Sequence, residues 1–243
     1  MNHYADPSGP VLPGFVVVLG GGPVSAALAS VPPADVVVTA DSGLEAALAA
    51  GLRVAHVVGD FDSVDPDVLA GAEASGSEIH RHPADKDATD SELALRLVTR
   101  LADAGAPVRV FTTTAAGRFD HLLSDVLALG GPTLADLMVT GFVGDVVVTV
   151  VRPGRPRKVM GRVGEQVSLV PVHGSASGVS TEGLRWPLAD AGLHAGTSRG
   201  VSNELAADQA TVSIDEGVLL VVQPGTAAPS VVPRTTGYDP SPH

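Results

Sequence analysis

The chain has 243 residues with a formal net charge of −12, and 44% of its residues are apolar although only 3% are aromatic. This apolar share is enough for a folded core of one large domain or two modest ones. The negative charge gives no broad attraction for nucleic acid or anionic membranes, so a polyanionic substrate would need metal ions or a local basic pocket. The absence of cysteine excludes disulfides and thiolate metal sites.

We find no targeting signal in the sequence. The first ten residues lack a basic start and a long apolar stretch, which a signal peptide needs. No apolar run approaches the roughly 20 residues of a membrane-spanning helix. We therefore expect a cytoplasmic protein that has neither nucleic acid nor membrane as a partner.

Residues 15–150 are predicted to form an α/β domain, because strand-like and helix-like segments alternate there. The predicted strands are short, apolar and mostly β-branched, namely Val16–Leu19, Val36–Val38, Val54–Val58, Val108–Thr113 and Leu137–Val143. The predicted helices begin near Pro23, Ser42, Asp65, Thr89 and Asp120. The pairs Ser42 with Glu45 and Thr89 with Glu92 have the spacing of capping boxes. This alternation indicates an open, mostly parallel, Rossmann-like sheet.

The pattern changes beyond about residue 150. No amphipathic helix is predicted there, and strand-like runs at Gln166–Val172 and Gly217–Val222 are separated by Gly, Ser and Pro. Residues 158–223 are therefore predicted to form a small all-β sandwich domain, joined through residues 151–158. Residues 224–243, rich in Pro and Thr, are predicted to be a disordered tail.

Charged residues collect where the predicted strands end. Three segments carry the candidate residues, namely GDFDS at 59–63, DKDATD at 85–90 and GRFDH at 117–121. From them we select the carboxylates of Asp60, Asp62, Asp87, Asp90 and Asp120 and the guanidinium of Arg118. Asp41 follows the second strand, and Gly20–Gly22 follows the first. Ligands of open α/β sheets bind at the carboxyl ends of the strands, so we expect these segments to meet. So many acids in one place would repel each other without a cation, which indicates Mg²⁺-assisted phosphoryl chemistry.

Each feature also has a structural interpretation. The three glycines fit a phosphate cradle or a tight turn, and Asp41 fits a ligand or a turn residue. Thr89 is a helix N-cap in either case. His80 and His82 have the spacing of metal ligands, but a solvated loop is the expected setting.

The order of these motifs resembles the thiamine pyrophosphokinase family. The resemblance rests on Asp41-Ser42-Gly43, on intact GDFDS, DxTD and GRxDH segments, on Thr181–Trp186 and on Ser202-Asn203-Glu204. The main departure is Ser42, where the family usually has Gly. The resemblance implies transfer of the pyrophosphoryl group of ATP to thiamine, with Mg²⁺ as cofactor. It also implies a homodimer that holds thiamine between the α/β domain of one subunit and the β domain of the other.

The resemblance also implies roles for individual residues. Asp60, Asp62 and Asp90 are expected to bind Mg²⁺, and Asp41 to join them or to orient the thiamine hydroxyl. Arg118 is expected to pair with phosphate, and Asp120 to hold Arg118 or to contact nucleotide. Further contacts to the substrates are expected from Gly21, Gly22, Ser42, Asp87, Thr89, His121, Trp186, Ser202 and Asn203. Trp186 would stack on the electron-poor thiamine ring.

Three other functions remain open at this point. A related pyrophosphokinase acting on another acceptor, such as a hydroxymethylpterin, would share the carboxylate motifs. A catalytically inactive nucleotide-binding regulatory module would be expected to lack some of them, and none is missing. A dinucleotide-dependent oxidoreductase would need a cleaner glycine fingerprint than GGGP and would leave the carboxylates without a role.

Overall fold

The computed structural model describes residues 14–20, 27–28, 31, 35–112 and 118–225. Several predicted features lie outside these ranges: Gly21 and Gly22, most of the helix predicted to begin near Pro23, Gly117 and the tail after residue 225. The described strands, in chain order, are β1 (Phe15–Leu19), β2 (Val36–Ala40), β3 (Val54–Gly59), β4 (Glu78–Arg81), β5 (Pro107–Thr112), β6 (Met138–Val143), β7 (Val146–Val151), β8 (Arg157–Met160), β9 (Gln166–Glu182), β10 (Ala191–Leu193), β11 (Asn203–Glu204), β12 (Gln209–Ser213) and β13 (Glu216–Gln223). The described α-helices are α1 (Gly43–Ala49), α2 (Pro66–Ala74), α3 (Asp90–Leu101) and α4 (Phe119–Leu129).

The first six strands form a parallel sheet in the order β4-β3-β2-β1-β5-β6. Strand β7 then turns back antiparallel to β6, and the sheet continues through β13 and β9. Apart from edge strand β4, the parallel strands are mostly buried and rich in valine, as expected for a sheet covered on both faces. One apolar cluster packs the sheet against α3, and a second packs its other face against α1 and α2.

The C-terminal half is built around the long strand β9. Its first part pairs with β13 and its last residues pair with β12, which in turn pairs with β8. Short strands β10 and β11 also pair with β9. A separate apolar cluster fills this half. The predicted fold class, a parallel α/β region followed by an antiparallel, sandwich-like region, is confirmed.

A partly buried arginine connects the two halves. The Arg157 guanidinium, on β8, donates to the carbonyl oxygens of Val139 and Val150 at 3.1 Å each and to the Thr140 hydroxyl at 3.0 Å. Burial lowers the pKa of Arg157 to about 10. These bonds satisfy the guanidinium that the fold encloses, as buried charges require.

Asp65 and Thr89 act as helix caps, but of the capping box predicted at Thr89 only the Thr89 half forms, since the Glu92 carboxylate pairs with Arg96. Asp65 caps α2 by accepting from the Asp67 amide at 2.8 Å, and Thr89 caps α3 by accepting from the Glu92 amide at 3.2 Å. The capping box predicted at Ser42 does not form, although Ser42 does precede α1. The Ser42 side chain makes no capping bond, and the Glu45 carboxylate instead accepts from the Asp65 amide at 3.2 Å.

The segment expected to be a solvated loop around His80 is strand β4, at the edge of the parallel sheet. The strand was missed because its sequence is polar and contains no apolar run. It forms through parallel backbone pairing with β3. In the part of the chain that the structure describes, no helix is long and apolar enough to cross a bilayer.

Candidate functional site

The carboxyl ends of neighbouring parallel strands bring three aspartates together. Asp41 follows β2, while Asp60 and Asp62 follow β3. One carboxylate oxygen from each lies within 4.8 Å of the other two. These three residues are named here the aspartate cluster. The convergence predicted from the strand order therefore occurs for this part of the site.

The backbone around the cluster is specialised for close approach. Asp41 and Phe61 both adopt left-handed backbone conformations, with φ of 44° and 64°. The Asp41 carboxylate accepts from the Phe61 amide at 3.4 Å, and the Asp41 amide donates to the Val58 carbonyl at 3.0 Å. A Cβ at Gly59 would overlap the Asp41 carboxylate, so the glycine of GDFDS gives that side chain its space.

Gly43 lets α1 start directly against β1. A Cβ at this position would overlap the carbonyl oxygen of Val18. The glycine of the Asp41-Ser42-Gly43 turn is thus required by the packing of the helix against the sheet. The serine at position 42 has an ordinary helical φ of −59°, which explains why it is tolerated where glycine is usual.

Lys86 joins the cluster to the start of α3. Its ammonium lies 3.2 Å from Asp60 Oδ2 and 2.8 Å from Asp90 Oδ1. The three side chains are only 14–16% exposed, so little water screens this pair of contacts. Asp90, predicted as a metal ligand, therefore enters the site together with a lysine that sequence reasoning left unassigned.

The electrostatics of the site follow from this crowding. Burial, followed by the nearby Asp90 carboxylate, raises the pKa of Asp41 to about 7. The backbone amide of Asp62 and then the Lys86 ammonium lower the pKa of Asp60. Burial would lower the pKa of Lys86, but its contacts with Asp90 and Asp60 outweigh burial and raise that pKa. The raised pKa of Asp41 shows that negative charge is crowded at this site, which favours a bound cation.

Arg118 and Asp120 form an exposed pair at the start of α4. Two guanidinium nitrogens donate to the two carboxylate oxygens of Asp120 at 3.1 Å each, and Arg118 also contacts His121. The Arg118 bonds lower the pKa of Asp120 to about 2. The side chains of Arg118 and Asp120 are 57% and 68% exposed. Arg118 is therefore held by Asp120 and remains accessible to an anionic ligand.

Helix α4 is tied to the start of α3 through Asp125. Burial raises the pKa of Asp125, opposed by a hydrogen bond with Ser91 and by the charge of His121. Ser91 follows Asp90 directly. The GRFDH helix and the DKDATD helix are thus neighbours, as the predicted topology requires. Among the described residues, however, no hydrogen bond or ion pair links Arg118 or Asp120 directly to the aspartate cluster.

The remaining predicted contacts of the α/β half have simple local settings. Asp87 and Thr89 are exposed beside Lys86, and Thr89 acts as the cap of α3. Ser42 is partly exposed between Asp41 and α1. Gly21 and Gly22 lie outside the described residues, so the expected phosphate cradle there remains a prediction.

Trp186 is presented on the surface of the C-terminal half. Its side chain is 51% exposed, and the Arg185 guanidinium lies 4.7 Å from the centre of its ring. Arg185 in turn pairs with Glu204 at 2.7 Å. One face of the indole is thus covered by a fixed cation, and an exposed aromatic of this kind is suited to stacking on a flat ligand.

Asn203 holds the Trp186 backbone. Its side-chain oxygen accepts from the amides of Trp186 at 3.1 Å and Glu204 at 2.8 Å, and its nitrogen donates to the Trp186 carbonyl at 2.7 Å. Asn203 is only 6% exposed. We therefore interpret Asn203 as a positioning residue for Trp186. Ser202, by contrast, is exposed, with a left-handed φ of 60°, and its amide donates to Ser168 at 3.0 Å.

The C-terminal residues and the aspartate cluster are separate within one chain. In the described ranges, no hydrogen bond, ion pair or ring contact joins Trp186, Ser202 or Asn203 to Asp41, Asp60 or Asp62. The sequence signal that was missed is Lys86, which lies four residues before Asp90 and inside a motif already recognised for its acids.

Comparisons with known proteins identify the family. Residues 29–136 match the thiamin pyrophosphokinase catalytic domain, and residues 156–219 match the vitamin B1 binding domain of the same family. Together the two matches cover more than half of the chain. They divide the molecule where the parallel strands give way to the antiparallel ones.

Individual relatives agree with this assignment. The chain is 25% identical over 183 residues to the thiamine pyrophosphokinase of Bacillus subtilis, covering 75% of this chain and 84% of the relative. A solved thiamin pyrophosphokinase from Geobacillus thermodenitrificans is 29% identical with a TM-score of 0.71, and covers 90% of this chain and 100% of its own. The solved Bacillus subtilis enzyme, at 21% identity and a TM-score of 0.73 over 87% of this chain and 99% of its own, supports the fold alone.

Proposed function

Since the chain belongs to the thiamine pyrophosphokinase family, we propose that it transfers the pyrophosphoryl group of ATP to the hydroxyl of thiamine. The products are thiamine diphosphate and AMP. The observation that carries this proposal is the aspartate cluster with Lys86 and Asp90, assembled at the carboxyl ends of parallel strands. That edge is where open α/β sheets bind their ligands.

Mg²⁺ fits the donor atoms of this site. Carboxylate oxygens are the hard ligands that Mg²⁺ prefers, and the raised pKa of Asp41 marks a surplus of negative charge around it. Asp60, Asp62 and Asp90 are the proposed ligands, and Asp41 lies close enough to Asp60 and Asp62 to join them. When bound, Mg²⁺ supplies positive charge to the phosphate oxygens of ATP.

Two cations of the chain complete the proposed charge balance. Lys86 holds Asp60 and Asp90 in place and reduces the net negative charge that a polyphosphate meets. Arg118 presents a guanidinium oriented by Asp120, in the forked geometry that suits phosphate. Phosphoryl transfer depends mostly on such positioning and charge stabilisation. We propose that Asp41 orients the thiamine hydroxyl towards the phosphate.

The C-terminal half is proposed to bind thiamine. Trp186, exposed and stiffened by Arg185 and Asn203, would stack on the flat rings of thiamine, and Ser202 would add a polar contact. Because Trp186 makes no contact with the aspartate cluster of its own chain, we propose a homodimer in which each thiamine site uses both subunits. The exposed apolar residues Phe119, Leu123 and Leu127, spaced along one side of α4, support burial in an assembly.

The division into domains follows the same proposal. Residues 15–150 would form the catalytic domain and residues 158–223 the thiamine-binding domain, with residues 224–243 as a tail. The proposed setting is the cytoplasm, where ATP and Mg²⁺ are available.

One assay tests the reaction. The full chain is incubated with Mg²⁺, ATP and thiamine, and AMP and thiamine diphosphate are measured together. Equal amounts of both products are expected, and neither should form when thiamine or Mg²⁺ is omitted. AMP formation with a hydroxymethylpterin but not with thiamine would move the assignment to another acceptor. ATP binding without turnover of either alcohol would indicate a regulatory module and would overturn the proposal.

A further inference from the structure

A second group of metal-binding side chains lies on the edge of the parallel sheet, away from the aspartate cluster. His56 Nδ1 is 3.1 Å from His80 Nε2 and 3.4 Å from Glu78 Oε2, and His80 Nε2 is 3.6 Å from Glu78 Oε1. One ligand atom from each residue lies within 4.8 Å of the other two. This group shares no residue with the proposed Mg²⁺ site.

These separations match those between ligands of a tetrahedral metal ion. Zinc binds imidazole nitrogen and carboxylate oxygen at about 2.0–2.2 Å, so two ligands at tetrahedral corners lie about 3.3–3.6 Å apart. The separation of 3.1 Å between the two histidine nitrogens falls close to this range. The shortest distance from each histidine to the Glu78 carboxylate does too, at 3.4 Å from His56 to Oε2 and 3.6 Å from His80 to Oε1. Two histidines and one carboxylate form a known zinc-binding combination that leaves one tetrahedral position for water.

The strand register places the three residues on one face. His56 pairs with Glu78, and Val58 pairs with His80, across the parallel strands β3 and β4. Residues two apart on a strand face the same side, so His56, Glu78 and His80 share a side of the sheet. The histidine side chains are 16% and 22% exposed, while Glu78 is 66% exposed. The two histidines are therefore partly enclosed by the fold, and Glu78 lies on the solvent side of the group.

Burial and nearby positive charge favour the metal-binding form of His80. Burial lowers the pKa of His80, and although Glu78 opposes this effect, His56 and Arg100 act in the same direction as burial. A neutral imidazole has the lone pair that a metal needs. Glu78 adds the negative charge that offsets Arg100 when a divalent cation binds.

We propose that His56, Glu78 and His80 bind one zinc ion per chain, with water at the fourth position. The ion would join the edge strand β4 to β3. Because β4 leads into the segment that carries Lys86 and Asp90, zinc would stabilise the strand next to the proposed catalytic loop. The site does not depend on the proposed reaction, since none of its ligands belongs to the aspartate cluster.

The test uses Co²⁺, whose visible absorption is intense in tetrahedral sites and weak in octahedral ones. The chelator-treated full chain is titrated with Co²⁺ in excess Mg²⁺, which occupies carboxylate sites. An intense band that saturates at one Co²⁺ per chain, and that Zn²⁺ abolishes, is expected. Zn²⁺ should also raise the Tm of the unliganded protein, because it binds the folded state.

Three variants locate the site. Glu78→Gln removes an exposed ligand and should keep the fold, while His56→Asn and His80→Asn remove the partly buried ones. Each should weaken Zn²⁺ binding by at least the roughly 10–100-fold that is typical of losing even an outer-shell partner. His82→Asn, which alters a histidine near the group, and Asp62→Asn, which alters the aspartate cluster, should both leave the Co²⁺ band unchanged.

Several results would overturn the proposal. A weak band in the parent protein would mean that His56 and His80 are only a hydrogen-bonded pair. A full band in Glu78→Gln, or loss of the band in Asp62→Asn, would assign the metal to other ligands. The Tm of each unliganded variant shows whether a lost band reflects unfolding, and Glu78→Gln decides if either histidine variant fails to fold.

Discussion

The two halves of the molecule hold their candidate binding residues by different means. The aspartate cluster in the α/β half consists of acidic side chains that follow two neighbouring strands. Lys86 and the Asp62 amide contact Asp60, and the Phe61 amide contacts Asp41. The Trp186 region in the β half is an exposed aromatic whose backbone is fixed by a buried asparagine. A charged site of the first kind is sensitive to the loss of any one charge. An aromatic surface of the second kind is sensitive first to the loss of its support.

The largest expected effect is that of removing one charge from the cluster. Asp62→Asn keeps the shape of the side chain but removes a carboxylate from the proposed metal site. We expect kcat to fall by about 100-fold or more, the size typical of losing one key electrostatic group. The measurement is steady-state production of AMP in saturating Mg²⁺, ATP and thiamine. Asp67→Asn, an exposed aspartate on α2, is the matched control and should stay within about twofold. Near-parental kcat in Asp62→Asn would remove Asp62 from the site.

The support of Trp186 is tested next. Asn203→Ala leaves two backbone amides and one carbonyl without their partner. At about 1 kcal/mol for each hydrogen bond, the free energy of unfolding should fall by roughly 2–3 kcal/mol. Chemical denaturation measures this change, and Ser202→Ala, its exposed neighbour, should change stability by less than about 0.5 kcal/mol. An Asn203→Ala protein of normal stability but impaired thiamine binding would make Asn203 a direct ligand instead.

A smaller effect is expected from the aromatic ring itself. Trp186→Ala should raise the KM for thiamine by about tenfold, since stacking on a cationic ligand contributes on the order of 1 kcal/mol or more. The KM for ATP should change by less than about twofold, because the nucleotide is assigned to the other half. Val163→Ala, an exposed apolar residue of the same half at 70% exposure, serves as control. Equal changes in both KM values would indicate that Trp186 has only a packing role.

The smallest expected effect comes from Asp41 and depends on pH. Its pKa is raised to about 7 from 3.8, so between these pH values the folded chain keeps a proton that the unfolded chain has lost. The parental protein therefore loses stability as pH rises through this window. Asp41→Asn removes that loss, and asparagine tolerates the left-handed backbone at this position.

Chelated Asp41→Asn should match the parental protein near pH 4 and exceed its stability by about 1–2 kcal/mol at pH 8. A pKa shift corresponds to about 1.36 kcal/mol per unit. The expected difference in stability is set well below that full value because the Asp41 carboxyl is partly exposed to solvent. Unfolding curves at several pH values measure it. Asp145→Asn, on the exposed turn after β6, should show no such trend. A constant difference across pH would mean that Asp41 is ionised throughout.

Much of the α/β half could be predicted because its signals are local. The valine-rich strands β1, β2 and β3 are short apolar runs, and Asp65 and Thr89 cap their helices within three residues in sequence. The position of the aspartates after these strands then followed from the general topology of parallel sheets.

The features that were missed depend on contacts between distant segments. Strand β4 is polar and is recognisable only through its pairing with β3, which also brings His56 to His80. Lys86 matters because its ammonium lies between Asp60 and Asp90. Asp60 is 26 residues away in sequence, so no local sequence pattern could predict this contact. The capping role predicted for Glu45 was wrong because its carboxylate accepts from the amide of Asp65, which is 20 residues away in sequence.

The ladder between β7 and β13 limits how the two halves can move. Five residue pairs connect these strands, and Arg157 adds bonds from β8 to the strands behind it. Swinging one half towards the other would require rupture of this ladder, so we expect the halves to melt together in a single transition and to move as a rigid unit. Under the proposed function, Trp186 would therefore reach a nucleotide through docking of a second copy of the chain rather than through bending of the first.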